Sequence, residues 1–326
     1  MDPSQWTRRQ VLLSGMVGTA TVAAARATVG AAPAAAVQTA RMNAAGAAGA
    51  LTIGGDLRVN RMGFGAMRIT GPGIWGEPKD PAEARRVLQR AVELGVNFID
   101  TADAYGPEVS ERLIAAALYP YPRGLVIATK GGMIRPAAGE WVADGRPQHL
   151  RAACEASLQR LKLARIDLYQ LHRIDPNVPL EDSLGELARL REQGKIRHVG
   201  VSNFAVAELA RARRVLPVVS VQNRYNIADR SSAEVLDVCA RDGLAFIPWA
   251  PIARGSAETL EGGANRALEA VARAHGVSVL QAAIAWLLAK SSAMLPIPGT
   301  SSVAHLEENV AAAGVKLSAA DVATIG

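Results

Sequence analysis

Cysteine, histidine and aromatic residues are all scarce in this chain, and each shortage excludes a class of protein. Only two cysteines occur in 326 residues, Cys154 and Cys239. They stand far apart in helix-like runs and read as small buried hydrophobes rather than a disulfide or a metal pair. Among the five histidines, His149, His198 and His275 keep no ligand spacing with the cysteines, so no metal site is expected. Aromatics make up 4% of the residues and nowhere interleave with a block of lysine and arginine, which removes the usual footprint of a nucleic-acid binder. The apolar stretch 11–25 is too short, and too rich in glycine, threonine and alanine, for a stable membrane span.

What is present is apolar and evenly spread. At 49% apolar residues the chain buries a large core, suited to one large α/β barrel or two smaller domains, and no break in composition divides it. Of the formal net charge of +6, Asp2, Arg8, Arg9 and Arg26 account for +2, so the remainder is only weakly basic. Small anionic molecules remain suitable partners, and oligomeric state is not legible.

Residues 1–48 differ from the rest. "TRRQVLLSGMVGTATVAAARATVGAAPAAAVQTA" starts with paired arginines, passes through a mildly apolar stretch and ends in A-x-A-like sites, the layout of an export signal. Thr7 to Leu13 resembles the twin-arginine type, which carries folded, cofactor-loaded proteins out of the cytoplasm. Cleavage is expected after Ala25 or Ala36, with the product in the periplasm or outside the cell; the alternative is a cytoplasmic protein with an unstructured extension. The domain proper then runs from 49 to 326.

From Leu51 the chain reads as a hairpin, "LTI" and "LRV" around Gly54-Gly55-Asp56, followed by a long alternation of apolar runs and helices. The runs lie at 62–67, 96–101, 125–130, 166–172, 196–202, 218–223, 244–250 and 293–299. Eight such units predict a (β/α)8 TIM barrel with an N-terminal β-hairpin. The rival doubly wound sheet needs a G-x-G-x-x-G turn after its first strand, which "GFGAMRITGPG" does not supply.

Barrel enzymes work at the C-terminal ends of their strands, so residues at those ends are the site candidates. Asp100 and Tyr105, then Lys130, then His172 occupy three consecutive ends and form a proton-handling set. A free phenol has a pKa of about 10, and an adjacent ammonium is expected to lower it, so Lys130 would activate Tyr105. Asp100 would pair with Lys130, and His172 would donate to a carbonyl oxygen. Taken singly, each has an ordinary structural role: a cap, a packed aromatic, a solvated strand end, a satisfied core histidine. Facing carboxylates at glycosidase separation are missing, which argues against a hydrolytic barrel.

Seven motifs in order, "GVNFIDTADAYG", "ATKGG", "DLYQLHR", "GKIRHVGVSNF", "VQNRYN", "FIPWAP" and "IPGTSSVAHLEENV", resemble the aldo-keto reductases across nearly all of 51–326. The resemblance implies NAD(P)H-dependent reduction of aldehydes and ketones, with Asp100, Tyr105, Lys130 and His172 as the catalytic four. It implies cofactor contacts from Met67, Ser202, Asn203, Gln222, Trp249, Pro251, Gly299, Thr300, Ser301, His305, Glu308 and Asn309, with Trp249 stacked on the nicotinamide. Many relatives carry arginine where His305 stands, gripping the 2′-phosphate of NADP; histidine lacks that fork and titrates near neutrality. NADPH is still expected, with NADH possible. "GAMRITGPGIWGEP" and "ALYPY" look similar to a bacterial branch that includes pyridoxal reductases, and the pocket walls are expected from Trp75, the loop 131–148 with Trp141, and segment 252–263. Folds of this family also serve as regulatory chains, so a slow cofactor-binding redox sensor is the alternative function.

Overall fold

The computed structural model describes residues 43–252 and 263–326. The expected export signal falls on 1–42 and most of segment 252–263 on 253–262, outside the described residues. Just before the expected domain start, Ala44–Ala48 form a 3-10 turn in which Ala45 is fully buried, its amide donating to the Leu94 carbonyl at 3.0 Å. This end of the expected linker packs into the core with Leu94 and Val96.

Strands β1 (Ala50–Ile53) and β2 (Leu57–Asn60) pair antiparallel around Gly54 and Gly55, both at positive φ, as the expected hairpin requires. The hairpin closes the N-terminal end of the barrel. Its apolar residues Ile53, Leu57 and Val59 pack with Phe98, Ala128 and Leu168 in the barrel interior, and Asp56 binds Arg197 and His198 at the next-door strand.

Then come β3 (Phe64–Gly65), α1 (Pro81–Glu93), β4 (Phe98–Asp100), α2 (Val109–Leu118) and β5 (Val126–Gly131). A small hairpin follows, β6 (Met133–Ile134) with β7 (Val142–Ala143), where a plain loop was expected. The alternation resumes with α3 (Pro147–Leu161), β8 (Ile166–Leu171), α4 (Leu180–Glu192), β9 (Ile196–Ser202), α5 (Val206–Val215), β10 (Val218–Gln222), α6 (Ala233–Asp242) and β11 (Ala245–Phe246). Helices α7 (Gly263–His275), α8 (Val279–Lys290), α9 (Val303–Ala311) and α10 (Ala319–Ile325) complete the chain. Asp80 caps α1 by accepting from Ala82 and Glu83, each at 2.9 Å, with proline at the first helical position.

Seven parallel strands form one curled sheet in the order β11, β10, β9, β8, β5, β4, β3. The eighth run is present but is not a regular strand. Phe246 donates to the Ala293 carbonyl and accepts from Leu295, each at 2.8 Å, while the Pro296 carbonyl accepts from Gly63 at 3.0 Å. Segment 293–297 thus bridges the two sheet edges, and Pro296 and Pro298, which have no N–H, explain why it makes no full ladder. Arg61 reinforces this seam by donating to the carbonyls of Leu288 (2.8 Å), Met294 (3.1 Å) and Ser291. Strand alternation sorts the rest: Phe98 joins the interior, whereas Ile99 packs outward with Leu88, Leu113 and Ile114.

Candidate active site

Asp100 ends β4 and, by the same inward alternation as Phe98, faces the barrel axis. Ala128 on β5 is its register partner, which puts Lys130 one pleat further along the same face. Lys130 is fully buried, and its ammonium has three donors and three acceptors: Asp100 Oδ2 at 2.6 Å, the Thr101 carbonyl at 2.8 Å and the Tyr105 hydroxyl at 3.2 Å. The other carboxylate oxygen, Asp100 Oδ1, accepts from Gln170 Nε2 at 3.0 Å and Gln222 Nε2 at 2.7 Å. Tyr105 is placed by the turn leading into α2. Its carbonyl accepts from Ser110 N at 3.1 Å, and Thr101 Oγ1 donates to Ser110 Oγ at 2.8 Å.

Protonation follows from burial and these partners. Burial alone would depress Lys130, but the Asp100 carboxylate and Tyr105 outweigh it, and its pKa is raised. The expected lowering of Tyr105 is corrected: burial pushes the phenol above its ordinary value of 10.0, and the Lys130 ammonium, pulling down, does not overcome it. The phenol therefore stays loaded with its proton at neutral pH. Burial, then the charges of Lys130 and Arg173, hold His172 well below the usual imidazole range, so its ring is neutral. Its Nδ1 is buried without a partner. With the single N–H on Nε2, Nδ1 is left as an unpaired acceptor and a donor is available to a carbonyl oxygen.

Asp100, Tyr105 and His172 line a cavity of about 500 Å³ with Trp141, Trp249 and Gly299. Met67, Ser202, Asn203, Gln222 and Pro251 line it too, so eleven separate sequence expectations meet in one place. Asn203, at a left-handed φ of 62°, donates to the His172 carbonyl at 3.2 Å and accepts from Trp249 Nε1 at 3.1 Å. Thr300, Ser301, His305, Glu308 and Asn309 follow on from Gly299 but are outside the cavity lining, as is Trp75.

Comparison with known proteins agrees with this geometry. The model of the Aldo/keto reductase family matches residues 61–326. The chain belongs to that family. An uncharacterised oxidoreductase of Schizosaccharomyces pombe is 52% identical over 264 residues, spanning 81% of this chain and 85% of that protein. Pyridoxine 4-dehydrogenase of Escherichia coli is 41% identical over 277 residues, spanning 83% and 95%. Among solved structures, an aldo-keto reductase from Klebsiella pneumoniae in complex with NADPH superposes with a TM-score of 0.71 at 25% identity, covering 85% of this chain and 93% of that one. Family membership makes the chain an oxidoreductase of carbonyl compounds that uses a nicotinamide cofactor.

The cavity of this aldo/keto reductase offers a flat indole, Trp249, with hydroxyl and amide side chains from Ser202, Asn203 and Gln222, a lining that fits a nicotinamide. A Cβ on Gly299 would lie 2.3 Å from the Gly65 carbonyl, and one on Gly65 would lie 2.7 Å from the Ile297 carbonyl. Only glycine at both positions lets β3 and segment 297–299 touch. The N-terminus of α9 is partly occupied by the protein itself, because Val303 N donates to Glu83 Oε1 at 3.2 Å.

Several lining or supporting residues were not anticipated. Gln170 shares the inward face of β8 with His172 two positions on, a signal available in "YQLH" but overshadowed by the histidine. Arg173 and Arg68 line the cavity, are exposed, and make no ion pair among the described residues. Met133 and Ile252 also line it, within the loop 131–148 and at the start of the segment 252–263 from which pocket walls were expected.

If Tyr105 is the proton donor, Tyr105→Phe keeps the ring and the cofactor site and lowers carbonyl reduction by about a hundredfold to ten-thousandfold. Because the phenol pKa is raised, the protonated form persists to high pH, so wild-type reduction is flat through neutral pH and declines only above about pH 10. Single-turnover reduction at a series of pH values checks both. A Tyr105→Phe variant with most of its rate, or a wild-type decline centred near neutrality, contradicts the assignment.

Proposed function

We propose that the protein is an NADPH-preferring reductase of aldehydes and ketones in which Tyr105 supplies the proton. The observation that carries this reading is the chain of contacts from Asp100 through Lys130 to the Tyr105 hydroxyl, at 2.6 and 3.2 Å, ending on the cavity wall beside His172. When bound, the reduced nicotinamide supplies a hydride to the carbonyl carbon and leaves oxidised. Trp249 offers the flat face for its ring, with Ser202, Asn203 and Gln222 beside it for the carboxamide. His172 orients the carbonyl oxygen through Nε2–H. As that oxygen takes up the electron pair of the broken π bond, the Tyr105 proton passes to it and an alcohol forms. The phenolate left behind lies against the Lys130 ammonium, which neutralises it until a proton returns from solvent.

On the phosphate side, Gly299, Thr300 and Ser301 fit the pyrophosphate, and Glu308 and Asn309 the adenine end. Arg68, whose side chain lies against Gly299, adds a permanent positive charge there. His305, exposed on α9, takes the place of the arginine expected for a 2′-phosphate. For the substrate, the 41% identity to a protein named for pyridoxine oxidation, together with aromatic walls from Trp141, Tyr105 and His172, favours flat ring aldehydes of the pyridoxal type. The paired arginines Arg8 and Arg9 support export of the folded, cofactor-loaded enzyme.

Multiple turnovers of NADPH oxidation with pyridoxal and simple aldehydes test the activity, and a single slow turnover favours a redox sensor instead. His305→Arg widens the preference for NADPH over NADH, since a fixed charge replaces a titrating one; an unchanged ratio of the two dissociation constants removes His305 from the phosphate site. Replacing Arg8 and Arg9 with lysine abolishes export, measured by fractionation. Finding only full-length protein in the cytoplasm with the arginines intact refutes the export reading.

A further inference from the structure

Arg135 follows β6 directly, and three features of its surroundings are unusual for an arginine. It is buried, with 7% of its surface exposed, yet no carboxylate pairs with it among the described residues. Its guanidinium is spent on backbone carbonyls from three separate loops: Nε donates to Glu140 at 2.6 Å, and Nη1 donates to Ile74 at 3.0 Å and to Ala104 at 3.3 Å. Nη2 is buried without any partner. The charge is instead met by aromatic faces, with the guanidinium carbon 3.7 Å from the centroid of Trp141 and 5.5 Å from that of Trp75.

A buried charge with one donor unpaired is an expensive way to stabilise a fold, and an apolar side chain of similar volume would fill the space at lower cost. What the arginine uniquely does is join. Ile74 and Trp75 belong to the loop after β3, Ala104 directly precedes Tyr105 in the loop after β4, and Glu140 and Trp141 lead into β7 after β5. All three loops lie at the C-terminal ends of the strands, where the cavity opens. Trp141 lines that cavity although 38% of its surface is exposed, and its ring stands edge-on to both Tyr105 and His172, with centroids 6.4 Å apart in each case. Without the guanidinium stacked on it, such a half-exposed ring at the end of a two-residue strand has little to hold it in place. Trp75, which lies outside the cavity lining, adds a second aromatic face to the same guanidinium.

We infer that Arg135 is a positioning residue for substrate selection: it locks Trp141 over the carbonyl site, so that the enzyme favours aldehydes carrying a flat ring over small aliphatic ones. The inference rests on the carbonyl-reductase reading of the same cavity. A flat ring gains stacking or edge contact with Trp141, whereas propanal has no ring to stack and a two-carbon chain to offer. The guanidinium's planar fork is what reaches three carbonyls and an indole face together; a lysine keeps the charge but cannot reproduce that set.

The test compares pyridoxal with propanal in wild type, Arg135→Met, Arg135→Lys and Trp141→Ala, with NADPH affinity measured by fluorescence. Arg135→Met is expected to raise KM for pyridoxal by about tenfold more than KM for propanal, with a smaller change in kcat. Arg135→Lys should fall between Arg135→Met and wild type. In the Trp141→Ala background, Arg135→Met should no longer change the pyridoxal-to-propanal ratio, because the ring through which it acts is gone. Equal losses on both aldehydes, or a ratio change that persists without Trp141, overturn the inference. A readout that needs no turnover is the fluorine spectrum of protein labelled with 5-fluorotryptophan, where the Trp141 line is the one lost in Trp141→Phe. That line should shift and sharpen in Arg135→Met, and an unmoved line overturns the lock. If wild type turns over neither aldehyde while binding NADPH normally, the activity reading fails, and the fluorine line alone decides the lock.

Discussion

The ion pair between Lys130 and Asp100 is the constraint on which the rest of the site depends. Both groups are almost wholly buried, 0% and 2% exposed in their side chains, so neither is tolerated without the other. Removing one partner of such a pair typically costs about 3–5 kcal/mol, because a buried charge is left uncompensated. The protein surrounds the pair with what it needs: every ammonium donor has an acceptor, and the free carboxylate oxygen receives two glutamine amides. The third ammonium contact is the Tyr105 hydroxyl, so the group that stabilises the buried ensemble is also the one that meets a phenolate when it forms.

The barrel explains how four groups from three strand ends converge. Parallel strands in register pair Lys130 with Gln170 and set Asp100 level with Ala128 one pleat before them, so the three polar side chains share the inner face beyond the apolar residues Phe98, Ala128 and Leu168. Beneath that layer the β1–β2 hairpin closes the far end, so solvent reaches the polar layer from one side. The seam through 293–297 is irregular because of its prolines, and the same irregular chain leads directly to Gly299 on the cavity wall.

Alternation and motif order made the barrel, the hairpin and the convergence of Asp100, Tyr105, Lys130 and His172 legible, since strand period 2 assigns Asp100, Lys130 and the approach to His172 to one face. What was not legible depends on distances between loops. Arg135 sits in "MIRPAAG", where nothing in the local pattern separates a buried arginine from a solvated one. The direction of the Tyr105 shift is not legible for a related reason: the ammonium neighbour is visible in a motif, whereas the extent of burial that outweighs it emerges only from packing. The alanine turn at 44–48 looked like linker because a run of alanines carries no periodic signal, yet Ala45 fills a full core position.

The central claim is that Asp100 keeps a buried Lys130 charged beside the proton donor, and single-turnover hydride transfer from prebound NADPH in Asp100→Asn tests it most directly. Without the carboxylate, burial is free to depress the lysine, so the account predicts a rate at least a hundredfold below wild type near pH 8, with cofactor affinity retained. As pH falls the ammonium re-forms and part of the rate returns, unlike the flat profile of the wild type. An Asp100→Asn enzyme that transfers hydride at the wild-type rate with the wild-type pH profile contradicts the account.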